Sequence, residues 1–311
     1  MTATNASQGT RRAMVLAFLL TSSFMMAELV GGILANSLAL IADAGHMVAD
    51  AAALGLGLFA MWIACHPHTE RRTFGFHRAE ILAALVNGSL LVGIALFVSY
   101  HAVERLREAQ QVASGPVLII AALGLVVNVV ALRILGGHRH ANLNVRGAFL
   151  HVLGDALGSI GVLISGLVIH FTGWMPADAI VSLFIATLIL VSGWRLVRET
   201  ISVLLESSPR YLDTDVLRRD LIEIGGVRDV HDLHVWTVTS GFVSLSAHAE
   251  VTSSDIADEV LRNATVLLRE RYGIRHVTIQ LETSQIHDEL EHCCLGEHEP
   301  SLSFRRFLNQ S

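Results

Sequence analysis

Apolar residues are gathered along this chain into six long runs, at approximately 13–34, 37–63, 81–103, 115–135, 146–170 and 178–203. Each run reaches the roughly 20 residues that carry a helix across the hydrocarbon of a bilayer, so six transmembrane helices are predicted. The segments between the runs differ in charge. The first (Ala35-Asn36-Ser37) and the fifth (Thr172-Gly173-Trp174-Met175-Pro176) have no arginine. The second holds Arg71, Arg72 and Arg78, and the fourth holds Arg139 and Arg146 with Arg133 just before it. In the third, Arg105 and Arg107 are offset by Glu104 and Glu108. Arginine-bearing connections stay on the cytoplasmic side, which puts both termini in the cytoplasm, and an even number of spans agrees in placing them on one side. The first run follows Arg11-Arg12 as a signal peptide would. It contains Glu28 and lacks a small-x-small cleavage site, so it is read as a helix that stays.

After residue 207 the pattern shortens. Asp213 or Thr214 caps an amphipathic helix reaching about Ile224. Val227–Val238 and Phe242–Val251 read as strands joined at Ser240-Gly241, a hairpin signal. A helix from about Ser254 to Tyr272 and a strand from Arg275 to Glu282 complete an α-β-β-α-β order, which implies a small open sheet with helices on one face. Strict alternation along the first strand puts His231 and Trp236 on opposite faces and His234 on the tryptophan's side. The fold class expected is thus an α-helical membrane protein, six transmembrane helices followed by a small cytosolic α+β domain. Its divisions are a cytosolic N-terminal segment (1–12), a transport domain (13–207), a cytosolic metal-binding and dimerisation domain (208–284) and a mobile tail (285–311).

Composition sharpens this division. Hydrophobic residues make up 52% and charged ones 16%, with a mean hydropathy of +0.53, too apolar for a soluble protein of 311 residues. Residues 1–207 carry 12 Arg against 11 acids, whereas residues 208–311 carry 10 Arg against 17, so the formal charge of −6 resides in the second part. Lysine is absent. Three cysteines, Cys65, Cys293 and Cys294, make no disulfide framework and fit a reducing cytoplasm. No nucleic-acid partner is expected. Compactness and a short fourth connection suit a bacterial inner membrane.

The chemistry lies inside two of the apolar runs. Leu40–Gly57 (LIADAGHMVADAAALGLG) carries Asp43, His46 and Asp50; Phe149–Ser159 (FLHVLGDALGS) carries His151 and Asp155. In both runs a histidine precedes an aspartate by four residues, which stacks the two side chains on one helix face. An ionised carboxylate at mid-bilayer costs roughly 2.5–3.5 kcal/mol, so a chain that carries the pair twice needs it. Two imidazoles and two carboxylates supply the four donors of a tetrahedral zinc ion, and two anionic ligands balance a divalent charge. Gly154, Gly158, Gly161 and Ser165 in one run, and Ala42, Ala49, Ala53 and Gly57 in the other, give small surfaces along which the helices could approach. A site at mid-membrane on separate helices suits a carrier exposing it alternately to each side. Histidine ligands make protons compete with metal, so divalent-ion exchange for protons is expected. A zinc-sensing membrane protein or a passive divalent-cation channel would use the same ligands. An enzyme is not expected: the His-Glu-x-x-His box of an intramembrane metalloenzyme and the phosphate loop of an ATP-driven pump are both missing.

The strings SLALIADAGHMVAD (37–50), RRTFGFHRAEILAALVNG (71–88), NLNVRGAFLHVLGDALGSIGV (142–162) and HDLHVWTVTSG (231–241) resemble those of cation diffusion facilitator transporters, closest to their bacterial zinc/cadmium-exporting and zinc-transporter branch. The resemblance runs from about residue 12 to 284. It implies zinc export by proton antiport, a homodimer and a cytosolic carboxy-terminal domain, with His46, Asp50, His151 and Asp155 as the transport site. Members that prefer manganese typically have an aspartate in place of the histidine, so the two histidines argue for zinc.

Other candidate ligands are more open. The second connection offers His66, His68 and His77, where relatives bind an accessory ion; the match in position is partial, and a solvated histidine-bearing loop is favoured. His138 and His140 resemble a remnant of the histidine-rich loop of many relatives. In the last domain His231, His234, His248, His276 and Glu282 are the candidates for regulatory Zn2+. His231, His248 and Glu282 fall on matching positions of relatives, whereas Gln280 stands where some have a histidine. Surface histidines in a solvated sheet are the alternative. Cys293 and Cys294, beside His292, are soft ligands in the tail, although adjacent cysteines also occur by chance.

Overall fold

The computed structural model describes residues 3–64, 66, 69–136 and 143–283. The chain forms two compact units, residues 1–200 and 201–311.

The first unit is built from six long helices: α1 (Ala3–Ala35), α2 (Leu38–Ala64), α3 (Ala79–Arg107), α4 (Ser114–Gly136), α5 (Leu143–Thr172) and α6 (Pro176–Leu204). All six are long and apolar enough to cross a membrane. They exceed the apolar runs at several ends because polar terminal turns, such as Glu104–Arg107 of α3, continue the helix outside the hydrophobic stretch. α1 packs on α2 and α4, α2 on α3, and α4 on α5. The shared core is rich in small and branched side chains, among them Ala39, Ala42, Ala49, Ala121, Val162 and Ala186. Where α3 meets α6, Gly88 and Gly193 face each other: a Cβ on Gly193 would lie 2.9 Å from that of Leu91.

The three arginine-poor or charge-balanced connections are tied together at one end. Asn36 takes a left-handed φ of 53°, which turns α1 into α2 without a glycine. Arg105 at the end of α3 donates to the Asn36 carbonyl and side chain at 2.7 and 2.8 Å. Asp178, in the first turn of α6 and 1% exposed, accepts from the Ser37 hydroxyl at 2.6 Å and the Leu38 N–H at 2.7 Å. It also pairs with Arg105 at 3.6 Å. Asp178 therefore caps the helix that carries His46 and Asp50.

The second unit contains α7 (Thr214–Ile222), β1 (Val227–Thr239), β2 (Phe242–Val251), a short 3₁₀ turn (Ser254–Ile256), α8 (Ala257–Arg271) and β3 (His276–Glu282). Asp213 caps α7, accepting from the N–H groups of Asp215 and Val216. β1 and β2 are antiparallel, and β3 joins β2 in parallel to give the order β1-β2-β3. Val243, Leu245, Ala247 and Ala249 of β2 point to one face, where Leu217 and Leu221 of α7 and Ala264 and Leu268 of α8 cover them. Both helices thus serve the core face and leave the opposite one to the histidines.

Candidate metal centres

The four membrane residues singled out by spacing converge. His46 Nε2 lies 3.4 Å from Asp50 Oδ2 and 4.0 Å from Asp155 Oδ1. His151 Nε2 lies 3.5 Å from the same Asp50 oxygen and 3.7 Å from Asp155 Oδ2. The two rings are 5.8 Å apart at 64°. His46, His151 and Asp155 each present a donor atom within 4.8 Å of the others. Helix geometry explains the pairing: each i, i+4 couple lies on one face, and α2 and α5 turn these faces toward each other. Asp50 Oδ2 and His46 Nδ1 are buried without a hydrogen-bond partner. A buried carboxylate oxygen that approaches two imidazoles yet has no donor is poorly satisfied by protein alone. A cation at the common centre would satisfy it.

Of the small residues expected to bring the helices together, some act differently. A Cβ on Gly158 would stand 2.8 Å from Asp43 Oδ1, whereas Gly154 has no atom within 4 Å of its would-be Cβ. Gly158 thus makes room for an acid, and a Cβ on Gly154 would meet no neighbouring helix among the described residues.

In the second unit, His231 on β1 is the register partner of His248 on β2, with rings 5.3 Å apart. Glu282 of β3, 1% exposed, reaches both: Oε1 is 2.7 Å from His248 Nδ1 and Oε2 is 3.6 Å from His231 Nε2. These three also present donor atoms within 4.8 Å of one another. Gln280 donates to Glu282 Oε1 at 2.7 Å, so the amide holds the carboxylate from behind.

The expected strand alternation is broken at three points along β1, and the middle one decides where the histidines fall. His231 pairs with His248, but His234 pairs with Ser246, so β1 carries one extra residue there. Asp232 takes up the bulge with φ of 49°. The bulge moves His234 and Trp236 to the same face as His231. Asp232 was not singled out by the sequence, yet its carboxylate lies 2.9 Å from His234 Nε2 and 3.9 Å from His248 Nε2. His276 stays out of the cluster: it pairs with Ser244, four residues up the ladder from the His248–Gln280 pair. At roughly 3.3 Å per residue this is about 13 Å, beyond any shared ion.

His66 is exposed, with Nδ1 3.2 Å from the carbonyls of Trp62 and Ile63, and its ring packs edge-on to Trp62. His77 is half-buried nearby and joins no grouping of ligands among the described residues. His68, His138, His140, Cys293 and Cys294 lie outside the described residues.

Comparison with known proteins decides the class. The profile of the cation efflux transmembrane domain matches residues 14–205, and that of the cation efflux protein cytoplasmic domain matches residues 209–284. The chain belongs to the cation efflux family. Cation efflux proteins are transporters rather than enzymes. The chain is 43% identical over 278 residues to the zinc transporter ZitB of Escherichia coli K12, covering 89% of this chain and 88% of that one. It is 40% identical over 275 residues to the metal cation efflux system protein CzcD of Cupriavidus metallidurans, covering 88% and 87%. It is also 40% identical over 279 residues to a cadmium, cobalt and zinc/H(+)-K(+) antiporter of Bacillus subtilis, covering 88% and 89%.

The membrane unit carries further acids that belong to neither grouping of candidate ligands. Glu28 and Asp43 are buried in the interior, Glu28 against Gly124 of α4 and Asp43 against Gly158 of α5. Both acids stand out in sequence only as charges inside apolar runs.

Proposed function

We propose that this cation efflux protein exports Zn2+, with Cd2+ and similar divalent transition metals as related cargo, from the cytoplasm in exchange for protons. His46, Asp50, His151 and Asp155 form the transport site. The observation that carries this reading is the meeting of two imidazoles and two carboxylates, at 3.4–4.0 Å, within membrane helices. Nitrogen and oxygen donors in equal number suit a borderline divalent ion, and two carboxylates cancel its charge where the surroundings cannot. Relatives named for zinc, cadmium and cobalt, one of them for exchange against protons and potassium, support the same cargo and counter-ion. The protein works as a homodimer in a bacterial inner membrane with both termini in the cytoplasm. His231, His248 and Glu282 bind a regulatory Zn2+ there.

The full chain, reconstituted in vesicles with an internal zinc reporter, tests this. Zinc should accumulate against its own gradient in proportion to an imposed pH difference, and a protonophore should abolish the accumulation. Flux indifferent to the pH difference would exclude antiport, and flux that only runs downhill would leave a channel.

A further inference from the structure

Asp232 belongs to no grouping of candidate ligands, yet it stands directly behind one of them. His248 has an occupied neighbour at each ring nitrogen. Its Nδ1 lies 2.7 Å from Glu282 Oε1, inside the soluble cluster, and its Nε2 lies 3.9 Å from Asp232 Oδ2 on the other side of the ring. Asp232 sits where the β1 pairing slips between His231 and His234, with φ of 49°. Its other oxygen, Oδ1, is 2.9 Å from His234 Nε2; a carboxylate only accepts, so His234 donates. His234, Asp232, His248 and Glu282 thus form a line, closed at its far end by the Gln280 amide that donates to Glu282. A strand gives up regular pairing, and a non-glycine residue takes a left-handed backbone, where that aspartate enters the line.

The order of the groups gives this carboxylate a use. Nδ1 of His248 carries the ring hydrogen, because the Glu282 oxygen 2.7 Å away accepts it. Nε2 is then bare toward Asp232, and the 3.9 Å between them is about 1 Å longer than a hydrogen bond. A divalent ion shared by His231, His248 and Glu282 needs the Nδ1 lone pair. That nitrogen gives up its hydrogen, Nε2 takes one, and the ring stays neutral. The new N–H faces Asp232 Oδ2. We propose that Asp232 is a positioning residue of the cytosolic metal site, accepting from His248 Nε2–H so that Nδ1 is held toward the cluster. His234 keeps the carboxylate in place from the outer side. Histidine ligands are commonly braced in this way through their second nitrogen, which fixes both tautomer and ring orientation. Asp232 itself does not touch the ion. The inference rests on the reading of His231, His248 and Glu282 as a zinc site and adds the group that orients one of its ligands.

The test is the zinc affinity of the cytosolic site in the full-length protein, measured by competition with a chelating indicator. Asp155→Asn is carried throughout to weaken the membrane site. Asp232→Gly suits the left-handed backbone and removes the carboxylate. Its zinc affinity should fall roughly 10- to 100-fold. Asp232→Asn keeps an oxygen that can accept from Nε2–H and should recover part of that loss. His234→Ala should weaken zinc binding in the parent and change nothing further in Asp232→Gly, because the two residues act in one line. Co2+ reports the ligand set, so at saturation its visible absorption band should be the same in the parent and Asp232→Gly. A zinc affinity of Asp232→Gly within about twofold of the parent would overturn the assignment. So would a shifted Co2+ band, which would make Asp232 a ligand, or a drop in metal-free unfolding midpoint large enough to account for the affinity loss. A His248→Ala protein that binds as much zinc as the parent would instead sink the cytosolic zinc site itself, whatever Asp232 does.

Discussion

Replacing Asp155 by asparagine isolates the charge that the proposed transport site would need. Asp155 is 4% exposed, and its two oxygens stand 4.0 and 3.7 Å from His46 Nε2 and His151 Nε2. The asparagine keeps the shape and one oxygen donor but removes a negative charge from beside the cation. Unit charges about 4 Å apart at an effective dielectric near 20 interact by about 4 kcal/mol. A dication doubles that, and the amide dipole returns part of it, so a loss of about 4 kcal/mol is a moderate expectation. At 1.4 kcal/mol per decade this is roughly a thousandfold rise in Kd. The fold should not suffer, because a neutral amide avoids the roughly 2.5–3.5 kcal/mol that a carboxylate costs at mid-bilayer. Zinc titration of detergent-solubilised Asp155→Asn in a His248→Ala background reads the membrane site alone, and vesicle flux reads transport. A Kd within about threefold of the parent, in a protein of unchanged thermal stability, would refute a ligand role for Asp155.

Three further expectations follow from other parts of the molecule. Asp178→Ala leaves Arg105 and the Leu38 N–H without their buried partner. It should cost about 3–5 kcal/mol and lower the thermal unfolding midpoint in detergent, with Asp178→Asn milder. His248→Ala should remove one equivalent of bound zinc from the full chain while vesicle flux persists, and His276→Ala should leave the stoichiometry unchanged. Burial, together with the Asp220 carboxylate to which it donates, raises the Tyr272 hydroxyl above the ordinary tyrosine range. Its contribution is therefore complete below a pH of about 10 and is lost as pH rises through the higher folded-state value. An alkaline denaturation series should show that decline in the parent and not in Tyr272→Phe.

The long-range periodicities were legible in the residues, and local irregularities were not. Six apolar runs announced six helices because the bilayer sets a length that composition alone can meet. The His46/Asp50 and His151/Asp155 couples were visible because a helix turns an interval of four into adjacency. The bulge at Asp232 was hidden: nothing in HDLH distinguishes a regular strand from one with an extra residue, and that residue decides which face His234 takes. His276 looked equivalent to His248 because alternation reports the side of a sheet and not the position along it. Asp178 read as a helix boundary, since its partners Ser37, Leu38 and Arg105 are far away in the chain. Gly158 read as packing, when it faces the carboxylate of Asp43.

Because α2 and α5 each bring their donors as a couple one turn apart, the four groups cannot be withdrawn singly. A roll of either helix by a few tens of degrees swings a histidine and an aspartate away in the same gesture, and the opposite couple stays behind as a two-point perch. If the four groups hold a guest as proposed, the grip would have two settings, a full clasp and half a clasp. Handing over the cargo would then be a single mechanical step rather than four successive bond ruptures, its speed set by how freely one rod turns against its neighbours.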